Sequence, residues 1–451
     1  NENSQKHRAL QSRRTADTNP RLEWRGSHLI EYVNPDVTQT IAGITYHWTA
    51  TGLEIELQRL SDEGKGEISV YHNNGNGKEL YKHSRISLLD DRGISSIVKS
   101  LETNNHEIDW RRVMTYVAGK TIQLLRNGEP VQNINAEPTS KAVKWTLYPW
   151  LPDKEPTTIF GPGGKGKSLL ADLIACMVSF GVGIAGLDYL RPTKGNVLYL
   201  DWERAEDVHK QRITALKRSM GIIDDSHIYY IKCDHHISAS IDYLSKKVVE
   251  LNIRLVIIDS QMAATAGMGH GMSDAEISSE YYNLIRRWNC TTLTIDHTNK
   301  ASMGEETSSD TPYGSVVKYN RASSIYSVKS TQETESEILS LALKHEKFNL
   351  GRKQSARGIE IEFSTSEEGE LVGLDFTSFN MADHETFRKS AKQWEIIQAI
   401  LRENGPMECK AIAEIAKKWD GATKIDTQRA SDVMHKKMDV FQEDDKVWSL
   451  R

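Results

Sequence analysis

Gly161-Pro162-Gly163-Gly164-Lys165-Gly166-Lys167-Ser168 matches the G-x-x-x-x-G-K-[ST] pattern at every fixed position. Glycines let a backbone wrap closely around phosphates, and the amides at the start of the following helix, through Leu169, face the negative charge. Lys167 is placed to reach the β- and γ-phosphates, and the Ser168 hydroxyl to help hold Mg²⁺. Such a loop needs a strand before it and a helix after it. Thr157 to Phe160 is a β-branched and aromatic run that reads as a buried strand, and Leu169 to Val182 is apolar and long enough for a helix.

Hydrolysis needs more than a cradle, and four further positions have the right chemistry. Leu255 to Asp259 is an apolar run ending in a carboxylate, the form in which Asp259 would hold Mg²⁺ at the carboxyl edge of an open α/β sheet. Val197 to Leu200 is the next strand after the loop and runs into Asp201 and Glu203, either of which can orient and deprotonate a water. The period of two puts both on one strand face, so the sequence leaves both open, and Glu203 is favoured because it lies past the strand end. Leu293 to Lys300 ends a strand in polar groups, among them His297, suited to sensing a γ-phosphate by hydrogen bond. Arg321 is an arginine-finger candidate, acting from a neighbouring subunit to stabilise transition-state charge.

These residues require alternating strands and helices, the pattern of a parallel sheet with crossover connections. The strands read as Thr157 to Phe160, Asn196 to Leu200, Ile228 to Lys232, Leu255 to Asp259 and Thr291 to Asp296. The clearest helices are Asp207 to Met220, Ile241 to Leu251 and Asp274 to Trp288. After Pro312 the pattern turns to β, with strands at Ser324 to Val328, Ile338 to Leu343, Gly358 to Phe363 and Leu371 to Phe376. The fold class is therefore α/β around a P-loop core over 145–385, flanked by smaller domains. Residues 1–24 read as a flexible polar tail. Residues 25–135 read as a small β-rich α+β domain without a catalytic constellation, and a linker follows near Asn135 to Lys144. Residues 390–451 read as three helices and a terminal hairpin, a winged-helix-like domain. Arg429, Lys436 and Lys437 on or beside its third helix suit phosphate contact. Such domains also dock proteins, and DNA is slightly favoured.

Composition bounds the rest. At 451 residues, 38% hydrophobic and 26% charged, the chain can bury a sizeable core and has room for about three domains. A net charge of -5 gives no global nucleic-acid signature, so any such binding rests on local patches. Cys176, Cys233, Cys290 and Cys409 make no metal or redox spacing and read as buried thiols in a reducing, cytoplasmic compartment. No signal-peptide pattern opens the chain, whose first residue is not methionine, as in a trimmed chain. The apolar run Leu169 to Leu187 contains Asp172 and three glycines, and burial behind a phosphate loop explains it without lipid.

Residues 145–380 resemble the RecA-like ATPases of the plasmid RepA replicative-helicase type. The likeness is carried by the Gly161 to Ser168 loop, Tyr199-Leu200-Asp201-Trp202-Glu203, Ile257-Ile258-Asp259-Ser260 and Asp296-His297-Thr298-Asn299-Lys300. The resemblance implies that Glu203 is the catalytic base and that ATP with Mg²⁺ sits between subunits of a hexameric ring. Single-stranded DNA would pass through the centre of that ring. It also implies that Lys347 joins the finger across the interface. The family's finger arginine aligns nearer Ser323; Arg321, two residues away, would share its face if both lay on a strand. Two loops, Ala264 to Ser273 and Lys300 to Pro312, would face the ring centre. The second carries Glu305, Glu306 and Asp310, which leaves Lys300 or backbone amides to grip phosphates. The expected activity is an ATP-dependent DNA helicase or translocase of phage, plasmid or mobile-element replication, with a replication protein as a further partner. A DNA-binding ATPase switch or loader and a recombinase-type filament ATPase are the alternatives.

Overall fold

The computed structural model describes residues 35–73, 77–127, 142–225, 227–269, 271–298, 316–419, 422 and 424–451. The expected tail, most of the linker and the loop Lys300 to Pro312 lie outside them. The chain divides into two compact units, residues 1–140 with 241–250, and residues 141–240 with 251–451.

The first unit holds a five-stranded antiparallel meander of β1 (Asp36–Thr40), β2 (Gly43–Trp48), β3 (Leu53–Gln58), β4 (Lys65–Asn73) and β5 (Lys78–Ser87). Helices α1 (Asp91–Glu102) and α2 (Trp110–Asn127) follow. Alternation decides its packing: Leu53, Ile55 and Leu57 are buried, while the residues between them reach the surface. Strands β1 and β5, rich in polar residues, were invisible to the alternation rule.

The second unit is built on a nine-stranded sheet. Its strands include β8 (Pro156–Gly161), β10 (Asn196–Asp201), β11 (Ile228–Lys232), β12 (Ile253–Asp259) and β13 (Thr291–His297), with two-residue and four-residue strands β6 (Trp145–Tyr148), β7 (Leu151–Pro152) and β9 (Arg191–Pro192) forming a small separate sheet. Strands β14 (Ser324–Thr331), β15 (Ile338–Phe348), β16 (Arg357–Thr365) and β17 (Leu371–Phe379) complete the large one, in the order β11-β10-β12-β13-β8-β14-β15-β16-β17. Pairing is parallel from β11 to β14 and antiparallel beyond. The crossovers within this unit are α3 (Lys167–Phe180), α4 (Glu206–Ser219), and the pair α6 (Gln261–Thr265) and α7 (Asp274–Arg286), while α5 (Ile237–Glu250) follows β11 in the chain and has residues 241–250 in the first unit.

Helix α3 is buried on every side from Lys167 to Ser179, as a helix apolar around its whole circumference must be. It ends at Gly181, whose left-handed backbone lets its amide bond back to the Met177 carbonyl. No helix among the described residues is long and apolar enough to cross a membrane. Of the four cysteines only Cys176 is fully buried; Cys233, Cys290 and Cys409 are half-buried, a correction to the reading of all four as core thiols.

Arg321 is not on a strand. It ends the short helix α8 (Val316–Arg321), and β14 begins only at Ser324. The same-face argument linking it to Ser323 therefore fails. The C-terminal part of this unit has α9 (Gln393–Asn404), α10 (Cys409–Lys418) and α11 (Thr427–His435) around a small antiparallel sheet ordered β18-β20-β19, with β18 (Met407–Glu408), β19 (Phe441–Asp444) and β20 (Val447–Leu450). Trp448 and Phe441 fill its core with Ile397, Ile412 and Met434.

The turn after α3 is pressed against β17. A Cβ at Gly186 (φ +81°) would lie 1.7 Å from the Phe376 carbonyl oxygen. Gly186→Ala is expected to destabilise the fold by about 3 kcal/mol, seen as a lower urea midpoint at unchanged slope.

Candidate active site

Parallel register collects the polar strand ends at one edge. Asp201 pairs with Asp259 across β10 and β12, and His297 with Gly161 across β13 and β8. One strand, β13, separates the phosphate-loop strand from the strand ending in Asp259. The loop leaves β8, and Gly166 (φ +76°) caps α3 in a conformation that suits glycine. The amides of Lys167, Ser168 and Leu169 fall in the first turn, where no intrahelical acceptor exists. The Leu169 side chain is in the hydrophobic core, so only its backbone can serve a phosphate. Gly163 and Gly164 are exposed, and a Cβ at either would meet nothing within 4 Å, so the rim of the cradle is open. Lys165 beside them is half-buried.

Lys167 Nζ donates to the carbonyls of Gly161 (2.8 Å) and Pro162 (2.6 Å), folding over the loop's own backbone. Burial pushes its pKa down to about 8, against the pull of Asp259, Glu203 and Asp296. Asp259 is buried. Burial raises its pKa, and the Ser168 hydroxyl hydrogen-bonds it, opposing the rise. Tyr199 also donates to Asp259 Oδ2 at 3.2 Å. A hydroxyl and a carboxylate in contact at the mouth of a phosphate loop are the donor set of a Mg²⁺ site, and a cation there would lower the cost of burying Asp259.

Asp201 and Glu203 differ in their surroundings. Asp201 is fully buried and every lone-pair direction is taken. Its Oδ1 accepts the amides of Glu203 (2.8 Å) and Arg204 (3.2 Å), and its Oδ2 accepts His209 (3.1 Å) and Tyr230 (3.1 Å). Burial alone would raise its pKa, but these donors more than offset it and the carboxyl sits low. Such a group is a scaffold. Glu203 keeps 30% of its side-chain surface and is held by His297 Nε2 (3.2 Å) and by the Ser260 hydroxyl. The His297 hydrogen bond, more than any other influence, holds its carboxyl below the usual range. The structure thus brings together Glu203, His297, Asp259, Ser168 and Lys167, with the carboxylate free on its open side to accept a proton.

Sequence reading missed two groups here. Arg204 lends positive charge to Lys167, Asp259 and Glu203, and its Nε is buried without a hydrogen-bond partner. Asp296 is buried at the end of β13 and paired with Lys318 of α8 at 2.8 Å. The signal for Arg204 was its place next to Glu203; none existed for Lys318, which pairs across a long insertion.

Arg321 and Lys347 lie elsewhere. Ser324 of β14 pairs with Thr157 at the amino end of β8, so both residues sit toward the opposite edge of the sheet, ~13 Å of strand from the loop. Arg321 donates to Ser279 Oγ (2.7 Å) and Asn283 Oδ1 (3.4 Å). Lys347 Nζ donates to the carbonyls of Tyr319, Asn320 and Ala322, capping α8. Neither can touch this chain's own phosphate loop. The segment Ala264 to Ser273 is also less open than expected. Ala264 lies in α6, and Ala264 and Met268 are buried.

The family model for the AAA domain matches residues 122–303, which span the loop, Glu203, Asp259 and His297. That stretch is similar to the AAA domain and carries its phosphate loop at the edge of a largely parallel sheet. A KaiC-like protein of Pyrococcus horikoshii superposes with a TM-score of 0.34 at 13% identity, over 52% of this chain and 93% of that one, too loosely to carry an argument. No curated protein sequence matches the chain. Lys318→Met leaves Asp296 charged in the core without its lysine. The expected cost is ~3–5 kcal/mol by urea denaturation, and Asp296→Asn in the same chain should recover most of it.

Proposed function

We propose that this protein is an ATP-driven DNA helicase or translocase of mobile-element replication, working as a ring of six chains with each nucleotide site shared between neighbours. The observation that carries the reading is the Glu203 carboxylate, aimed by His297 and Ser260 at the mouth of the loop that holds Lys167 and Ser168. Glu203 acts as general base toward water, and His297 reports loss of the γ-phosphate by releasing or tightening its hold on Glu203. Mg²⁺ held by Ser168 and Asp259 would neutralise phosphate charge. Arg321 and Lys347, with Arg286, gather positive charge at the sheet edge far from the chain's own loop. A neighbour's triphosphate is the anion they suit in a head-to-tail ring.

The RepA-type motif set supports single-stranded DNA as the track. The C-terminal three-helix module is proposed as a winged helix that contacts DNA. Lys436 is exposed at the end of α11, whereas Arg429 is engaged by Gln393 at 2.7 Å.

Glu203→Gln is expected to keep nucleotide binding and lower hydrolysis by about 10²–10⁴-fold. Strand separation on a forked DNA substrate is the decisive assay. Hydrolysis that single-stranded DNA stimulates, coupled to unwinding, supports the helicase. Hydrolysis without unwinding or DNA stimulation would sink it in favour of a switch.

A further inference from the structure

Behind the site lies a buried charge network that the ATPase chemistry above does not use. Asp172 projects from the otherwise apolar helix α3, one turn past Ser168, and is fully buried. His209 on α4, also buried, bridges it to Asp201: its Nδ1 lies 2.7 Å from Asp172 Oδ1 and its Nε2 3.1 Å from Asp201 Oδ2. Both acceptors are carboxylates, so both ring nitrogens carry protons and the ring is an imidazolium. Arg212 of the same helix donates to Asp172 Oδ2 at 3.2 Å.

Two carboxylates without these cations would cost too much to bury, and the cations without the carboxylates likewise. The network therefore has one arrangement, which ties the helix carrying Ser168 to the turn carrying Glu203. The link to chemistry is the other oxygen of Asp201, which accepts the amides of Glu203 and Arg204 and so sets the path of the backbone beneath the Glu203 side chain.

We propose that His209 is a positioning residue for ATP hydrolysis: as an imidazolium between Asp172 and Asp201, it fixes Glu203 relative to the phosphate-loop helix. This rests on Glu203 being the base. The groups facing the ring are Asp172 from α3, Asp201 and Tyr199 from β10, Tyr230 from β11 and, through Asp172, Arg212 from α4. Burial opposes the ring's charge, but the hydrogen bonds to Asp172 and Asp201 outweigh it and lift its pKa from 6.5 to about 9. A raised pKa means the charged pairing stabilises the fold fully below pH 6.5 and is progressively lost as pH rises towards about 9.

The test is steady-state hydrolysis by the full chain, with nucleotide binding measured separately. His209→Gln is expected to lower kcat by roughly 10- to 100-fold while KM and nucleotide affinity stay within about threefold, because a base displaced by an ångström loses rate and not binding. In a Glu203→Gln background the same change should cost nothing further, since it acts only through Glu203. The fall in unfolding midpoint between pH 6.5 and about 9 should be weaker in His209→Gln than in the native chain. Unchanged kcat in a folded His209→Gln protein, or an additive loss in the Glu203→Gln background, overturns the proposal. Near-native hydrolysis by Glu203→Gln overturns the base assignment and the proposal with it. If His209→Gln does not fold, Tyr230→Phe removes one donor from Asp201 and leaves the histidine. A several-fold loss of kcat at constant KM is expected there, and no change overturns the idea.

Discussion

Strands β8, β10, β12 and β13 are buried along nearly their whole length, and that constraint shapes everything around the site. A parallel sheet covered on both faces leaves its interior to apolar residues and to hydroxyls that can bond locally. Charged groups are driven to the strand ends, and parallel register lines those ends up. Asp201, Asp259, Asp296 and His297 are neighbours because the strands carrying them cannot hold polarity anywhere else. The small phosphate-loop glycines then close the edge, where β8 hands over to a helix that is buried on all sides from Lys167 to Ser179.

Once gathered, the carboxylates differ by what neutralises them. Asp201 has four hydrogen-bond donors, Asp296 has a lysine, and Asp259 has two hydroxyls and no counter-charge in contact. Glu203 alone combines partial exposure with donors that leave one side open. The order of these environments, from fully compensated scaffold to exposed base, separates roles that residue type cannot separate.

The sequence showed those parts of the fold whose signals are local. The loop, the strands on either side and the carboxylate ends were legible because glycine spacing and apolar runs are written in consecutive residues. Polar edge strands such as β1 and β5 were not, since half-buried antiparallel ribbons with threonine and lysine lack a strong alternation. Arg321 was related to Ser323 by the family alignment, a same-face argument that needed both residues on a strand. The chain instead closes a helix there, with Lys347 capping its last carbonyls from β15. Asp172 was visible only as an anomaly in an apolar helix, and its partner lies 37 residues away on another element, beyond any local rule.

The site is also internally balanced, and that bears on how it would respond to phosphate. Lys167 is buried, and its charge is answered by backbone carbonyls in contact and by three carboxylates at longer range. Carbonyl dipoles are weaker partners for an ammonium than phosphate oxygens, so a triphosphate in the loop would draw Lys167 off Gly161 and Pro162. The same anion would crowd the Asp259 and Glu203 carboxylates, which favours a divalent cation between phosphate and Asp259. Glu203 needs no such cation because His297 already answers it. A bound nucleotide would therefore change the partners of Lys167 and Asp259 and leave Glu203 where His297, Ser260 and the Asp201 turn hold it. A fixed carboxylate beside a responsive cradle is the arrangement that hydrolysis with Glu203 as base would use.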